Sequence, residues 1–358
     1  MLAYYITAHG YGHGARSCDI LERLWQTRPE LDLTVVTDLP DWFLANRLSR
    51  RPLSLRRARF DVGMVQKDSV EVDLAETLAR LEEVFRQRPQ LVAREAEWLR
   101  ANQARAVAVD IPSMPLEAAA RAGIPGVAVG NFSWDWIYAE LGSSEFEPVI
   151  DALRQGYSQA EKLLRLPFSC PTEAFSRTVE VPLVATPGQN VRSALAAATG
   201  ADPDRPWLLF SFTTLNLEPG AIERLSRLDG YQLLTVRPLE WAGPNFFSVD
   251  PAAFRFTDLM ASVEAVVTKP GFGILSEAVV NDTPLIYVER HDFAEYPVLE
   301  AAIREALRGI HLPARDLYAG RLESALEQLA AGLPGPRVAV PFDGGAEVVR
   351  QLVELLGG

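Results

Sequence analysis

Cysteine and long apolar runs are scarce in this 358-residue sequence. Its two cysteines, Cys18 and Cys170, give neither a disulfide framework nor the spacing of a metal site, so we expect a reducing compartment and no bound metal. No apolar run reaches the roughly 18 residues that a membrane span needs, and the N-terminus lacks the pattern of a secretory signal. We therefore expect a cytoplasmic protein without a transmembrane segment, and peripheral membrane contact stays open.

Positive charge is also limited. The chain has 35 lysines and arginines against 47 aspartates and glutamates, which gives a formal net charge of −12. Because duplex binding needs a concentrated cationic surface, this balance argues against nucleic acid as a partner. Hydrophobic residues make up 48% of the chain and charged residues 23%, which indicates a folded globular protein. A chain of this length is expected to form two domains.

Short apolar runs alternate with longer helical patterns along the chain. This alternation is typical of parallel sheets whose two faces are covered by helices. We expect α/β domains at residues 1–183 and 184–342, and a last helix within 343–358 that packs back toward the first domain. The expected strands are 2–7, 32–37, 52–58, 105–110, 126–130, 207–212, 231–236, 263–268 and 284–288. The expected helices are 15–27, 73–102, 219–228, 272–281, 295–307, 320–331 and 344–356.

A glycine-rich loop, His9-Gly10-Tyr11-Gly12-His13-Gly14, lies between the first expected strand and the first helix. In parallel sheets, ligands bind beyond the carboxyl ends of the strands, where such loops meet helix N-termini. The loop lacks the final glycine of a dinucleotide fingerprint, but Asp38 ends the second strand, so a nicotinamide-binding interpretation stays open.

The two histidines of this loop suggest acid–base chemistry. A histidine that titrates near neutral pH can accept the proton of a hydroxyl group as that hydroxyl attacks an electrophile. Asp110, at the end of a later strand of the same sheet, is expected to open onto the same crevice and to fix the tautomer of a histidine there. His9 and His13 are therefore candidate bases; the alternative is that they cap the helix or bond backbone groups.

A second glycine-containing loop, 268–277, follows a strand and opens a helix in the second half of the chain. Backbone N–H groups near Gly271 and Gly273, with the Ser276 hydroxyl, can hold a diphosphate at this helix terminus. Lys269 in the same loop would oppose the charge of that diphosphate. A tight turn without a ligand is the alternative.

Carboxylates and aromatic rings follow at places that suit sugars and acceptors. Glu277, one turn into the second helix, can accept hydrogen bonds from a ribose diol, and the acid-rich run 289–295 suits sugar hydroxyls. The alternative is that this run is an ordinary cluster of solvated charges. Trp134, Trp136 and Tyr138 can form a stacking platform for an acceptor ring, or can be core side chains.

Several of these segments resemble one family. The run Tyr4–Arg16 looks like the opening of the glycosyltransferase-like N-terminal domain of plant L-arabinokinase and its bacterial relatives. The same resemblance extends to nearly the whole chain through the segments 61–66, 131–140, 165–167, 269–273 and 343–347. The glycine loops are more distantly similar to those of MurG-type and UDP-glycosyltransferases.

This resemblance implies the GT-B fold, in which two Rossmann-like doubly wound parallel-sheet domains face each other across a cleft. By similarity to UDP-glycosyltransferases, His13 or His9 would be the general base and Asp110 would orient it. The first domain would bind the acceptor, on a side formed by Gly12, Asn131 and Trp134.

The resemblance to MurG assigns the donor side. Phe256 and Thr257 would hold the nucleobase, Glu277 the ribose, and Asp292 and Glu295 the donor sugar. A place that contacts phosphate in the superfamily is occupied by Thr213 and Thr214. Two departures are visible, because the long donor signature of plant UDP-glycosyltransferases is absent and Glu295 replaces a glutamine common in related sites. In the arabinokinase the fused kinase half carries the known activity, so kinase activity is not implied.

The expected function is transfer of a sugar from a nucleoside-diphosphate sugar, with UDP favoured, to an unidentified hydroxyl acceptor. Transfer would invert the anomeric carbon and need no metal, because the helix N-terminus and Lys269 would stabilise the leaving diphosphate. Two alternatives are an enzyme of the sugar-nucleotide 2-epimerase kind and a non-catalytic sugar-nucleotide-binding or regulatory module.

Overall fold

The computed structural model describes residues 1–49, 54–291 and 293–357 of the chain. They form two compact units. Unit 1 comprises Met1–Val65, Asp73–Ala185 and Pro341–Gly358, and unit 2 comprises Gln66–Val72 and Thr186–Val340. The short segment Gln66–Val72 therefore belongs to unit 2, although the sequence on both sides of it belongs to unit 1.

Unit 1 is built on a parallel sheet. Its strands are β1 (Leu2–Ile6), β2 (Leu33–Thr37), β3 (Leu55–Arg56), β4 (Ala106–Asp110), β5 (Gly126–Gly130), β6 (Lys162–Arg165) and β7 (Thr178–Glu180). Their order is β3-β2-β1-β4-β5-β6-β7. Strands β1, β2, β4 and β5 are buried at every position, which explains their nearly continuous apolar sequences.

The helices of unit 1, numbered along the whole chain, are α1 (Tyr11–Thr27), α2 (Asp41–Arg47), α3 (Leu74–Arg86), α4 (Arg88–Ala101), α5 (Met114–Ala122), α6 (Trp134–Ala139), α7 (Glu147–Tyr157) and α15 (Gly344–Leu355). A 3-10 turn at Ser144–Phe146 precedes α7. The predicted single helix 73–102 is two helices. Pro89 lies in the first turn of α4, where its missing N–H group is tolerated, and Asp73 caps α3 by accepting a hydrogen bond from the Glu76 amide.

Unit 2 repeats the arrangement. Its strands are β8 (Trp207–Ser211), β9 (Gln232–Val236), β10 (Phe246–Val249), β11 (Ala265–Thr268), β12 (Leu285–Tyr287) and β13 (Gly309–His311). They form a parallel sheet in the order β10-β9-β8-β11-β12-β13. The helices are α8 (Arg192–Thr199), α9 (Ala221–Ser226), α10 (Phe256–Met260), α11 (Phe272–Asn281), α12 (Tyr296–Ala306), α13 (Ala314–Tyr318) and α14 (Glu323–Ala330).

Most predicted strands are present within two residues of their expected bounds. Of the predicted strand 52–58, the residues 52–53 lie outside the described part, and β3 covers Leu55–Arg56. The short strands β6, β7, β10 and β13 were not predicted. Among the described residues, no helix combines the length and the apolar character needed to cross a bilayer.

Candidate functional site

Each sheet reverses its strand order at one point. In unit 1 the reversal lies between β1 and β4, and in unit 2 it lies between β8 and β11. Ligands of parallel α/β sheets bind at such a reversal, beyond the carboxyl ends of the strands. The loops after these four strands therefore define one candidate site in each unit.

The candidate site of unit 1 is built around the Asp110 carboxylate at the end of β4. His13, in the first turn of α1, places its Nδ1 atom 2.7 Å from Oδ1 of Asp110. Arg16 lies three residues further along α1, on the same helix face, and forks onto the same carboxylate. Its Nε atom is 2.6 Å from Oδ2 and its Nη2 atom is 2.6 Å from Oδ1. Ser17 donates a further hydrogen bond of 3.0 Å to Oδ2.

These donors decide the charge of Asp110. The side chain is fully buried, and burial alone would raise its pKa. The positive charge of Arg16 and the adjacent His13 outweigh burial and hold the pKa of Asp110 below its usual range. Asp110 is therefore a carboxylate anion at neutral pH.

The same geometry favours a proton on Nδ1 of His13, because the shorter of its two contacts is to a carboxylate oxygen that can only accept. Its Nδ1 atom lies 2.7 Å from Asp110 Oδ1 and 3.0 Å from Arg16 Nη2. A lone pair on Nδ1 would face the carboxylate oxygen at this short distance with no hydrogen between them. A proton on Nδ1 instead gives a hydrogen bond to Asp110, while Arg16, which has only donors, also donates to the carboxylate. The lone pair is then on Nε2, where it can accept a proton from a substrate.

This arrangement predicts the tautomer of His13 in solution. We expect nitrogen-15 NMR of the imidazole rings to show the Nδ1–H form for neutral His13. His311 is an internal control of opposite form, because its Nε2 atom lies 2.8 Å from Oε2 of Glu289 and donates to that carboxylate. An Nε2–H form of His13 would contradict its assignment as a base.

Asn131 secures Arg16 rather than facing open solvent. Its Oδ1 atom accepts a hydrogen bond from Arg16 Nη1, and its Nδ2 atom donates to the Pro167 carbonyl at 2.7 Å. Both Arg16 and Asn131 are buried. The predicted acceptor-side position of Asn131 is therefore occupied by a side chain that connects α1 to the loops after β5 and β6.

His9 lies in an aromatic cluster that reaches His13 through Trp134 and Phe132. Its ring packs edge-on against Trp134, with 4.9 Å between the ring centroids. It also packs against Gly63, where the backbone has a φ of +71° and a Cβ atom would overlap the imidazole. Trp134 is only 2% exposed and stacks on Tyr138, so its burial favours the core role over an acceptor platform. The structure thus bonds His13 directly to Asp110, whereas the ring of His9 packs against Trp134.

Asp61 was not among the site residues predicted from the sequence. This buried carboxyl group accepts a hydrogen bond of 3.1 Å from Trp134 Nε1. Burial raises the pKa of Asp61, against the opposing effects of Thr7, Trp134 and His13. The sequence signal for Asp61 is its position at the start of the segment 61–66, one of the segments that carry the family resemblance.

Tyr11 was also not singled out as a candidate. Its ring stacks on Phe43 with 5.1 Å between centroids, and 42% of the residue is exposed. Gly12 lies between Tyr11 and His13 in the first turn of α1. Tyr11 therefore presents an exposed aromatic face two residues from the candidate base.

In unit 2, the glycine-containing loop forms the predicted turn from β11 into α11. Gly271 is the N-cap residue of α11, and Gly273 lies in its first turn. The Ser276 hydroxyl donates to the Phe272 carbonyl at 2.7 Å, so it has an oxygen lone pair left with which to accept a hydrogen bond. Glu277 is buried in the second turn of the same helix.

The residues predicted to hold a nucleobase open α10. Phe256 is the first residue of that helix, and the side chain of Thr257, the next residue, is buried. Thr257 Oγ1 donates to the Thr186 carbonyl at 3.1 Å and accepts from Asn281 Nδ2 at 3.0 Å. Thr257 thereby links α10 to α11, which carries the glycine-containing loop at its start.

The remaining residues predicted to bind the sugar nucleotide lie in the loops after β8 and β12. Thr213 and Thr214 are exposed after β8, and their backbone amides donate to Ser69 Oγ at 3.2 and 3.1 Å. Glu295 is the N-cap residue of α12, and burial raises its pKa. Asp292 lies outside the described residues. Within the described part of the chain, no group of three or more His, Cys, Asp or Glu side chains is arranged to hold a metal ion.

Comparison with known proteins agrees with this fold. The glycosyltransferase VinC, in a complex with dTDP, superimposes with a TM-score of 0.62 at 17% identity over 99% of each chain. UGT2 of Phytolacca americana, complexed with UDP-2-fluoroglucose and pterostilbene, gives a TM-score of 0.59 at 13% identity over 99% of this chain and 94% of that one. MurG of Acinetobacter baumannii gives 0.54 at 12% identity over 99% of each chain.

These likenesses, with the two parallel sheets, show that the chain has the GT-B fold and confirm the predicted fold class. Within that fold, its sequence is 30% identical over 342 residues to L-arabinokinase of Arabidopsis thaliana. The match covers 93% of this chain but only 32% of that protein, so the chain spans about a third of its relative's length. No family model matches the chain.

Proposed function

We propose that this protein transfers a sugar from a nucleoside-diphosphate sugar, with UDP as the nucleotide, to a hydroxyl acceptor. The observation that carries the proposal is the buried Asp110 carboxylate bonded to Nδ1 of His13, which leaves Nε2 as a base at the strand reversal of unit 1. Proteins of the same fold crystallised with dTDP and with UDP-2-fluoroglucose support the choice of donor.

In the proposed reaction, His13 acts on the acceptor. Its Nε2 atom takes the hydroxyl proton while the acceptor oxygen forms a bond to the anomeric carbon of the donor sugar. The bond from that carbon to the diphosphate oxygen breaks, and the diphosphate leaves with the electron pair, so the sugar is transferred with inversion. The Asp110 anion stabilises the imidazolium that forms on His13.

Unit 2 is proposed to bind the donor without a metal. The first backbone amides of α11, near Gly271 and Gly273, would donate hydrogen bonds to the leaving diphosphate, and Lys269 would neutralise part of its charge. The proposal places the nucleobase at Phe256 and Thr257, the ribose at Glu277, and the donor sugar at Glu295 with Asp292. It also places the protein in the cytoplasm, since both cysteines are buried thiols outside any disulfide.

Nucleotide binding tests this proposal directly. We expect UDP at 100 times its dissociation constant to increase the free energy of unfolding by about 2.7 kcal/mol, measured as a rise in melting temperature. Uridine, which lacks the diphosphate, is the matched control. If UDP, dTDP, GDP and ADP all leave the melting temperature unchanged, the donor assignment is wrong. A new sugar nucleotide formed from UDP-N-acetylglucosamine alone would indicate an epimerase instead.

A further inference from the structure

The segment Gln66–Val72, here called the strap, is a folded turn within unit 2. Gln66 and Val72 pair as an antiparallel bridge, and the Lys67 amide donates to the Glu71 carbonyl at 3.0 Å. Oδ1 of Asp68 accepts hydrogen bonds from the amides of Val70 and Glu71 at 2.8 and 2.9 Å. The strap therefore has a defined shape of its own.

The strap lies against the loops that follow three neighbouring strands of the unit 2 sheet. Ser69 Oγ accepts from the amides of Thr213 and Thr214 after β8. Gln66 Oε1 accepts from Lys269 Nζ after β11 at 3.3 Å, and the Val70 carbonyl accepts from Arg290 Nε after β12 at 3.2 Å. Because β8, β11 and β12 are adjacent, these contacts lie at the strand reversal where a ligand is expected.

The donors that the strap occupies are those that bind phosphate groups. Two backbone amides, an ammonium group and a guanidinium group converge on oxygen atoms of the strap, and such sets are typical of diphosphate sites. The strap oxygens are a hydroxyl, a side-chain amide and a backbone carbonyl. None of these three atoms carries a negative charge, although the strap also contains the Asp68 carboxylate, which attracts both cations.

Lys269 and Arg290 repel each other and are only partly neutralised by Glu295 and Asp68. Burial, with the repulsion from Arg290, lowers the pKa of Lys269 to about 7. Burial also lowers the pKa of Arg290, although Glu295 and Asp68 oppose this. Arg290 is 6% exposed, and its buried Nη2 atom has no hydrogen-bond partner among the described residues. An anion at this place would relieve the repulsion and supply the missing partner.

The strap is also held by apolar packing. Val70 is buried and belongs to the hydrophobic cluster of unit 2, which also includes Leu215 and Val288. On the other side of the turn, Tyr318 donates a hydrogen bond of 3.0 Å to Asp68 Oδ2. The strap therefore stays on the sheet when no ligand competes with it.

We propose that Lys269, Arg290 and the amides of Thr213 and Thr214 form a diphosphate site that the strap covers until a nucleotide displaces it. This inference rests on the proposed function and adds to it a second cation, Arg290, and an internal competitor for the donor. A protein that must first release such a competitor binds its ligand more weakly, by the factor that favours the covered state.

The test uses the full chain with inorganic pyrophosphate and UDP as probes in titration calorimetry. Ser69→Ala removes the oxygen that accepts from the two amides, so we expect pyrophosphate to bind about three- to tenfold more tightly than to the unmodified protein. Ser226→Ala is the matched control, because that half-buried serine of α9 donates its hydrogen bond to the Glu223 carbonyl of the same helix. Its affinity is expected to equal that of the unmodified protein.

Hydrogen exchange on the unmodified protein provides an independent measurement. If pyrophosphate displaces the strap, the Ser69 amide loses its hydrogen bond of 3.2 Å to the Thr214 carbonyl and exchanges faster when the probe is added. Slower or unchanged exchange would show that the strap stays in place and would overturn the proposal.

The outcomes separate this inference from the proposed function. If UDP binds the unmodified protein and Ser69→Ala binds pyrophosphate equally or more weakly, the strap is not a competitor and the donor assignment stands. If neither probe binds any of the three proteins, there is no diphosphate site, and the donor assignment fails with it.

Discussion

Replacing His13 with alanine is expected to lower the rate of sugar transfer by about 10²–10⁴-fold, the usual contribution of a positioned general base. The reason is that the Nδ1 atom of His13 is bonded to the buried Asp110 carboxylate. The rate is measured as release of UDP from a donor sugar in the presence of an acceptor, at saturating donor.

The matched control for this variant is His311→Ala, which removes an exposed histidine that bonds Glu289 in unit 2. We expect its transfer rate to equal that of the unmodified protein. An unchanged transfer rate in His13→Ala would show that His13 is not the base. A large loss of transfer rate in His9→Ala alone would assign the base to His9, in the aromatic cluster around Trp134.

Replacing Asp110 with asparagine is expected to reduce the free energy of unfolding by about 3–5 kcal/mol. The change removes the negative charge that faces the buried Arg16, so Arg16 keeps a positive charge inside unit 1 without its counter-ion. Urea unfolding followed by tryptophan fluorescence measures this loss at neutral pH.

The contribution of Asp110 to the free energy of unfolding depends on pH in a definite direction. Because the pKa of Asp110 in the folded protein lies below its unfolded value of about 3.9, its stabilising contribution is fully present above that pH. It is lost as the pH falls through the folded pKa. The difference in stability between the unmodified protein and Asp110→Asn should therefore narrow in acid.

Asp151→Asn is the control for a carboxylate in a weak pair. Asp151 is exposed and lies 3.8 Å from Arg154, so its replacement should change the free energy of unfolding by no more than about 0.5 kcal/mol. An Asp110→Asn variant as stable as this control would show that the buried pair contributes nothing to the fold.

The parts of the fold that were predictable are those whose sequence pattern follows burial. β1 and β4 are buried on both faces, so Leu2–Ile6 and Ala106–Asp110 read as apolar runs. β7, Thr178–Glu180, has two exposed residues of three and a sequence without an apolar run, so the pattern gave no signal. The break at residue 87 was missed because the apolar spacing continues through it.

The candidate site was predictable only in part, for a similar reason. A loop after one strand and an acid at the end of its neighbour imply proximity, which is how His13 and Asp110 could be paired from sequence. Arg16 was not foreseen as the second partner of Asp110, because its fork depends on side-chain direction within the helix. Ser69 was beyond reach as well, since the amides it contacts lie 144 and 145 residues further along the chain.

The last helix of the chain has a consequence for the order of assembly during synthesis. α15 packs on α1, and its Val348, Val349 and Leu352 belong to the same buried cluster as Leu2 and Tyr4 of the first strand. The ribosome therefore releases every strand of the seven-stranded sheet long before the side chains that close its interior. The part of this cluster that α15 covers therefore stays exposed to solvent while the whole six-stranded sheet is translated.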